Sequence, residues 1–290
     1  MNVAAPRLEI ARDTFRSHFN RRPFLFGHRL AHHPLFELPR LAALSRALHG
    51  RWIEYNDGRL PVSVPNQADI VYTGLTTEES IRRTHEVCSW VALKRTEQFP
   101  EYAAVLDACL DEIAPLAAPL EPGMCEREAA IFVSSPLSVT PYHVDHEINF
   151  LLQLRGSKTV HVFDAGDRQV LTERELEQYF CGTGLLRNLR LRRQYAHRAR
   201  VFELRAGMAL HIPSTAPHWV ENGAQTSVSL SVSFKTRALL RRADVHRMNA
   251  LLRRLGFEPS RCSAYPARDY LKHQTYRALR RVRRLWTAQP

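Results

Sequence analysis

Long apolar runs are missing from this chain. None approaches the roughly eighteen residues that a membrane-spanning helix needs, so no transmembrane segment is expected. The start, Met1-Asn2-Val3-Ala4-Ala5-Pro6, lacks a basic stretch followed by an apolar core, which argues against a secretion signal. Cysteine is sparse. Cys88, Cys109, Cys125, Cys181 and Cys262 are odd in number and scattered, with no spacing that suggests a disulfide framework or a zinc site. Reduced thiols and a cytoplasmic location are the expectation that follows. Acidic residues are scarce at one end: residues 237–290 hold 14 Lys and Arg against Asp244, Glu258 and Asp269, a local charge of +11 out of a formal +12 for the chain. The basic character is therefore local.

What is present suits a folded enzyme-sized domain. The chain has 290 residues and 44% hydrophobic content, enough for a sizeable core and too apolar for wholesale disorder. Residues 1–125 read as a mostly helical region. Leu38 to Leu48 has helical apolar spacing and stops at Gly50. Trp52 to Tyr55 reads as a strand closed by the turn Asn56-Asp57-Gly58. A helix is expected from Thr77 toward Lys94, and another from Tyr102 to Ile113, ahead of Pro115. His28, His32 and His33 show no ligand spacing, and packing or surface roles suit them better than a second metal.

The stretch with chemistry in it is Thr140-Pro141-Tyr142-His143-Val144-Asp145-His146-Glu147-Ile148-Asn149-Phe150, with a distant Pro217-His218-Trp219. On a strand, residues two apart face the same way, so His143 and Asp145 can grip one metal. His218, arriving on another strand, completes two imidazoles and a carboxylate, a set that leaves coordination positions open and suits non-haem Fe(II). By the same alternation His146 faces away. Asn149 to Leu154, a Gly156-Ser157 turn and Lys158 to Phe163 read as a hairpin, putting Lys158 on the strand beside the ligand strand. The run Leu204 to Pro213 reads as a turn and short strand leading to His218, and Ser227 to Phe234 alternates serine with apolar residues.

Over residues 126–236 these residues resemble the Jumonji-C and cupin-like Fe(II)- and 2-oxoglutarate-dependent oxygenases, and within them the branch of asparaginyl hydroxylases that inhibits hypoxia-inducible factor. Thr140, three before the first ligand, and Lys158, fifteen after it, match the positions that hold the far carboxylate of 2-oxoglutarate in that family. Asn149 matches an asparagine near the co-substrate, and Gly207 to Pro213 matches a run before the second histidine. Val232-Ser233-Phe234 departs from the family's Val-Asn-Phe, and the tyrosine that often assists the co-substrate has no placed counterpart.

The resemblance implies a mainly β fold with flanking helices: a double-stranded β-helix, or jelly-roll barrel, over 126–236, covered by 1–125 and followed by helices over 237–290. It implies iron held by His143, Asp145 and His218, with 2-oxoglutarate and O2 as co-substrates bound near Thr140, Lys158 and Asn149. Ser233, His161 and Tyr142 are candidates for contact with the ligands or the substrate. The implied activity is hydroxylation of a protein or peptide side chain, or of a small metabolite. No aromatic cage for a methylated lysine is apparent, so demethylation is the lesser reading.

Two segments bear on partners. Residues 187–200 hold six arginines and no acid, either an electropositive rim at the substrate entrance or partners for the acidic helix expected over Thr172 to Tyr179. In the basic end, Leu239, Leu240, Met248, Leu251, Leu252 and Leu255 form an apolar stripe up to Gly256, and Tyr270, Leu271, Leu279, Val282 and Trp286 suggest a second amphipathic helix. Such a pair resembles the family's dimerisation element, while its arginines offer a contact for nucleic acid in a non-catalytic, regulatory alternative.

Overall fold

The structure, a computed structural model, describes residues 7–64, 70–182 and 188–287. Arg187, the side chain of Trp286 and residues 1–6, named above, lie outside the described residues. Twelve described strands pair antiparallel in two sheets. The larger runs in the order β1 (Leu8–Glu9), β2 (Phe24–His28), β10 (Met208–Ile212), β7 (Ile148–Arg155), β12 (Ser227–Thr236), β5 (Met124–Ser134), β4 (Trp90–Lys94), β3 (Ile53–Asn56). The smaller runs β6 (Val139–His143), β11 (His218–Asn222), β8 (Ser157–Val162), β9 (Arg200–Arg205). The two face each other as a jelly-roll, the double-stranded β-helix of cupin and Jumonji-C proteins.

Alternation along the strands of the larger sheet separates two interiors. Phe150, Leu152 and Leu154 of β7, Val228, Leu230, Val232 and Phe234 of β12, and Ile131 and Val133 of β5 join the core formed with the helices outside the barrel. Those helices are α1 (Arg12–His18), α2 (Leu38–Ala47), α3 (Thr77–Arg82) and α4 (Pro100–Ala117), which contribute Phe15, Leu41, Ile81, Leu110 and Ile113. The alternate residues face the barrel lumen. There Leu151 meets Val160, Val162, Leu210 and Val220. The serines of β12 lie on this lumen side and are buried, because Ser229 Oγ donates to Gln153 Oε1 (2.6 Å) and Ser231 Oγ to Asn149 Oδ1 (2.8 Å).

Several elements differ from the sequence expectations. β7 and β8 are not a hairpin: β7 lies between β10 and β12, and β8 in the other sheet between β11 and β9. The chain crosses between sheets at Gly156, whose φ of +69° and whose pro-Cβ position 2.5 Å from the Thr226 carbonyl oxygen admit only glycine. The helix expected toward Lys94 ends at Arg82, and residues 90–94 are strand β4. Burial on both faces makes Val91-Ala92-Leu93 an apolar run without strand alternation, which a helix reproduces equally well. Pro115 sits inside the last turn of α4 instead of beyond it. The amino-terminal region thus adds four strands to the larger sheet as well as covering it with helices.

After the barrel strand β8, α5 (Glu173–Cys181) begins at a capping box in which Thr172 and Glu175 satisfy each other's backbone amides. The chain ends in α6 (Arg237–Arg254) and α7 (Pro266–Thr287). The face that α6 buries holds Leu239, Ala243, Asp244, Val245, His246 and Asn249; of the expected apolar stripe Leu239 is buried, Met248, Leu251 and Leu252 are half-buried, and Leu240 and Leu255 are exposed. Tyr270, Leu271, Leu279 and Val282 of α7 are exposed as well. No helix among the described residues is long and apolar enough to cross a membrane.

Candidate metal centre and co-substrate pocket

His143 closes β6, and Asp145 sits two residues on in the loop before β7, not on a strand with it. His218 opens β11 and pairs directly with His143 across the ladder. Among the described residues, His143, Asp145 and His218 are the one group of three such side chains whose ligand atoms all lie within 4.8 Å of one another. The Nε2 atoms of the two histidines stand 3.5 and 3.7 Å from Asp145 Oδ2. Each imidazole is oriented by its other nitrogen: His143 Nδ1 donates to the Pro141 carbonyl (2.7 Å), and His218 Nδ1 to the Ala216 carbonyl (2.9 Å). That fixes the tautomer and aims both Nε2 lone pairs at the carboxylate, as a metal-binding histidine requires. The Asp145 loop is tied down by the Thr215 amide donating to the Asp145 carbonyl (2.7 Å) and by Ser214 Oγ donating to that of His146 (2.9 Å).

The donor set fits Fe(II): two neutral nitrogens and one carboxylate on one side, the rest of the coordination sphere free for other ligands. Deeper along the same face of the smaller sheet is Lys158. Its strand β8 neighbours β11, which carries His218, and Lys158 pairs with Asn222 while Val162 pairs with His218. Four residues separate the two levels, roughly 13 Å along the strand. Lys158 is 6% exposed and has no hydrogen-bond or ion-pair partner among the described residues. Burial alone pushes its ammonium down to about 7. An isolated buried cation is costly, and an anion supplied to it recovers that cost.

Thr140 faces the lumen from β6, and its Oγ1 accepts a hydrogen bond of 2.8 Å from Nε1 of Trp90 on β4, in the opposite sheet. An indole N–H only donates, so the threonine hydroxyl must accept there and its own proton is left to another acceptor. No spacing in the sequence points to Trp90, because its strand reads as the tail of a helix. Asn149 lines a cavity of about 260 Å³ at the mouth of the barrel, together with Asp145, Phe132, Ala130, Ser231 and Ser233. The hydrogen bond from Ser231 engages its oxygen and directs its amide N–H2 to that space. Ser233 Oγ reaches the Glu128 carbonyl at 3.4 Å.

The other candidates fall elsewhere. Tyr142 packs against Phe163 and Trp219 in a separate cluster, on the side of β6 opposite to His143. His161 stacks on Trp219 (4.1 Å between ring centres) and reaches Glu221 at 3.1 Å, on the face of β8 opposite to Lys158. Both follow the period of two that put His143 and Lys158 inside. His146 Nδ1 meets the Tyr179 hydroxyl at 3.0 Å, away from the triad. His211 is buried, accepting from the Asn20 amide and donating to the Asn149 carbonyl, and burial holds it down to about 3. Of the arginines over 187–200, Arg192 pairs with Glu175 and Arg198 with Asp167, each at 2.7 Å.

No protein-family model matches this sequence, and no curated protein matches it either. Solved structures do. The X-ray structure of Escherichia coli YcfD aligns with a TM-score of 0.53 at 16% identity, over 93% of this chain and 67% of that one. What the two share is the fold. A second structure of YcfD, described as a ribosomal oxygenase in complex with cobalt and 2-oxoglutarate, gives a TM-score of 0.49 at 17% identity, over 94% of this chain and 67% of that one. Nothing in these comparisons singles out the asparaginyl hydroxylase branch.

Proposed function

We propose that this chain is an Fe(II)- and 2-oxoglutarate-dependent oxygenase of the Jumonji-C and cupin-like class, hydroxylating a protein or peptide side chain. The observation that carries the reading is Lys158: a buried ammonium with no partner among the described residues, on the same lumen face as two histidines whose lone pairs converge on a carboxylate. A metal site alone would serve many chemistries. A fixed cation at the far end of the lumen suits a dicarboxylate whose other end chelates the metal.

His143, Asp145 and His218 would hold the iron, and Lys158 with the Thr140 hydroxyl would hold the distal carboxylate. When bound, iron and 2-oxoglutarate activate O2, releasing CO2 and succinate and supplying one oxygen atom to the substrate. The chain's own part is orientation and shielding. Asn149, Ser231 and Ser233 offer hydrogen bonds to a side chain entering the cavity beside Asp145, and Phe132 and Ala130 offer apolar contact. YcfD, whose fold this chain shares, is described as a ribosomal oxygenase, and that favours a protein substrate over a metabolite. The exposed apolar residues of α7 favour a helix-mediated homodimer as the further partner, ahead of nucleic acid, and light scattering on a Leu271→Glu/Leu279→Glu variant would test it.

Anaerobic titration of the metal-free protein with Fe(II) and 2-oxoglutarate tests the core of the proposal. A weak visible charge-transfer band is expected, abolished in His143→Ala. Iron binding without a band in the unaltered protein would sink the co-substrate assignment, and no iron binding would sink the metal assignment.

A further inference from the structure

Two cavities stand side by side at the open end of the barrel. The mouth, of about 260 Å³, is lined by Asp145, Glu147, Asn149 and Ser233 among others. Its neighbour, of about 310 Å³, opens between the end of β12, α5, α6 and α7, and is lined by Glu126, His146, Ser214 and Lys235 among others. Consecutive residues of the Asp145 loop thus face opposite sides of one wall, and on β12 Ser233 lines the mouth while Lys235 lines the neighbour. The wall is one ion pair thick. Lys235 Nζ lies 2.7 Å from Glu126 on one side, and 3.9 and 4.0 Å from Glu128 and Glu147 on the other; His146 Nε2 lies 3.3 Å from Glu147. Glu126 is exposed, so the crest of the wall is open to solvent.

The neighbour has a character of its own. Leu176, Phe180, Leu239, Leu240 and Ala243 give it an apolar floor, with Phe180 stacked on His246 at 5.1 Å between ring centres. Around that floor stand Arg168, Lys235, Arg242, Arg247 and Arg280 against a single carboxylate, Glu126. Glu173, Glu126 and Asp244 already compensate Arg168, Lys235 and Arg247. Arg242 and Arg280 are exposed and have no ion-pair partner among the described residues. A large apolar side chain with an acid next to it complements this cavity: the floor removes the first from water, and the second meets the two arginines at the edge.

We propose that the two cavities are successive subsites for one extended peptide, so that the protein substrate carries a large apolar residue two positions from the oxidised one, with an acidic residue beside it. The spacing follows from β12. Ser233 and Lys235 are two residues apart on one face of a strand, roughly 7 Å. In an extended peptide, side chains two apart likewise point the same way with the same repeat. A chain lying over the crest at Glu126 therefore places one side chain in the mouth beside Asp145 and the next but one in the neighbour. The identity of the peptide as substrate rests on the proposed function; its binding across both cavities does not.

The test uses the full chain without added iron or co-substrate. Random dodecapeptides displayed on phage are selected on it, and the most enriched peptide is then measured by fluorescence anisotropy. Enrichment of an aromatic or long aliphatic residue beside Asp or Glu is expected. Arg242→Glu/Arg280→Glu, exposed changes that leave the fold alone, should weaken that peptide about tenfold, and Leu240→Glu likewise. At the mouth, Ala130→Trp adds bulk and Trp52→Ala removes it, and each should weaken the same peptide about threefold or more. No such enrichment, or affinity unchanged in Arg242→Glu/Arg280→Glu, overturns the second subsite. Affinity that falls with those arginines but in neither mouth variant overturns the link between the cavities. These outcomes are independent of the charge-transfer titration: a band without peptide binding leaves the oxygenase reading standing and sinks the subsite, and peptide binding without a band does the reverse.

Discussion

Lys158 and Lys235 lie on strands of opposite sheets and are nearly equally buried, at 6% and 8% exposed. At the rim of the barrel, Lys235 has Glu126, Glu128 and Glu147 at 2.7, 3.9 and 4.0 Å. In the lumen, Lys158 has no such partner among the described residues. The first is a finished ion-pair network that stands without a ligand. Under the proposed function the second is a site whose compensation comes from a ligand, and burial that would be a defect in a structural lysine is what a binding lysine needs. The difference also explains why a barrel filled with Leu151, Val160, Val162 and Val220 tolerates a cation at one level only.

Replacement by a neutral side chain of similar length separates the two most sharply. Lys158→Met should weaken 2-oxoglutarate binding about 100-fold or more, since removing one partner of a buried charge pair costs about 3–5 kcal/mol. The same change should leave the ligand-free protein as stable or more stable, because a desolvated charge is gone. Anaerobic titration and thermal denaturation of one variant read both effects. A fall in stability without loss of co-substrate affinity would erase the contrast with Lys235.

Titration reads the same contrast in the unaltered protein. The folded-state value of Lys158, about 7, lies below its ordinary 10.5. Between those values the unfolded chain binds more protons than the folded one, so the cost of burying the ammonium is fully present below about pH 7 and is relieved as pH rises. Ligand-free stability should climb from pH 7 toward 10 by on the order of a few kcal/mol, and Lys158→Met should lack that climb. Binding of 2-oxoglutarate above pH 7 should take up close to one proton, measurable by calorimetry in buffers of different ionisation enthalpy. At Lys235 the expectation reverses: Lys235→Met leaves three carboxylates facing one another and should destabilise the fold by about 1–3 kcal/mol in chemical denaturation, with 2-oxoglutarate affinity retained.

The sequence made one half of this legible. His143, Asp145, His218, Thr140 and Lys158 are short-range spacings joined by one distant histidine; four of them lie on the smaller sheet, and Asp145 follows His143 in the loop after β6. What spacing does not carry is which sheet a strand joins. The turn at Gly156 looks like a hairpin because a tight glycine turn has the same local signature whether the chain folds back or crosses over. Tyr142 and His161 are close in sequence to the site residues, but the alternation that turns His146 away from the lumen turns them away too. The rim network has no signature in the sequence, because Glu126, Glu128, Glu147 and Lys235 are spread over more than a hundred residues and look like ordinary surface charge.

Trp90 was hidden for a related reason, and it supplies the finest test of the lumen. Its N–H fills an acceptor site of Thr140 from the opposite sheet, so the threonine proton has fewer directions to choose among. Trp90→Phe keeps the aromatic packing on Phe132 (5.8 Å between ring centres) but removes the donor. Losing one neutral hydrogen bond that organises another is worth about 1 kcal/mol, so 2-oxoglutarate affinity should fall roughly fivefold while Fe(II) affinity stays unchanged. Thr140→Val should fall further, having lost the hydroxyl itself, and the double variant should be no weaker than Thr140→Val alone, because Trp90 acts through that hydroxyl. Additive losses in that cycle would mean that the indole touches the co-substrate directly.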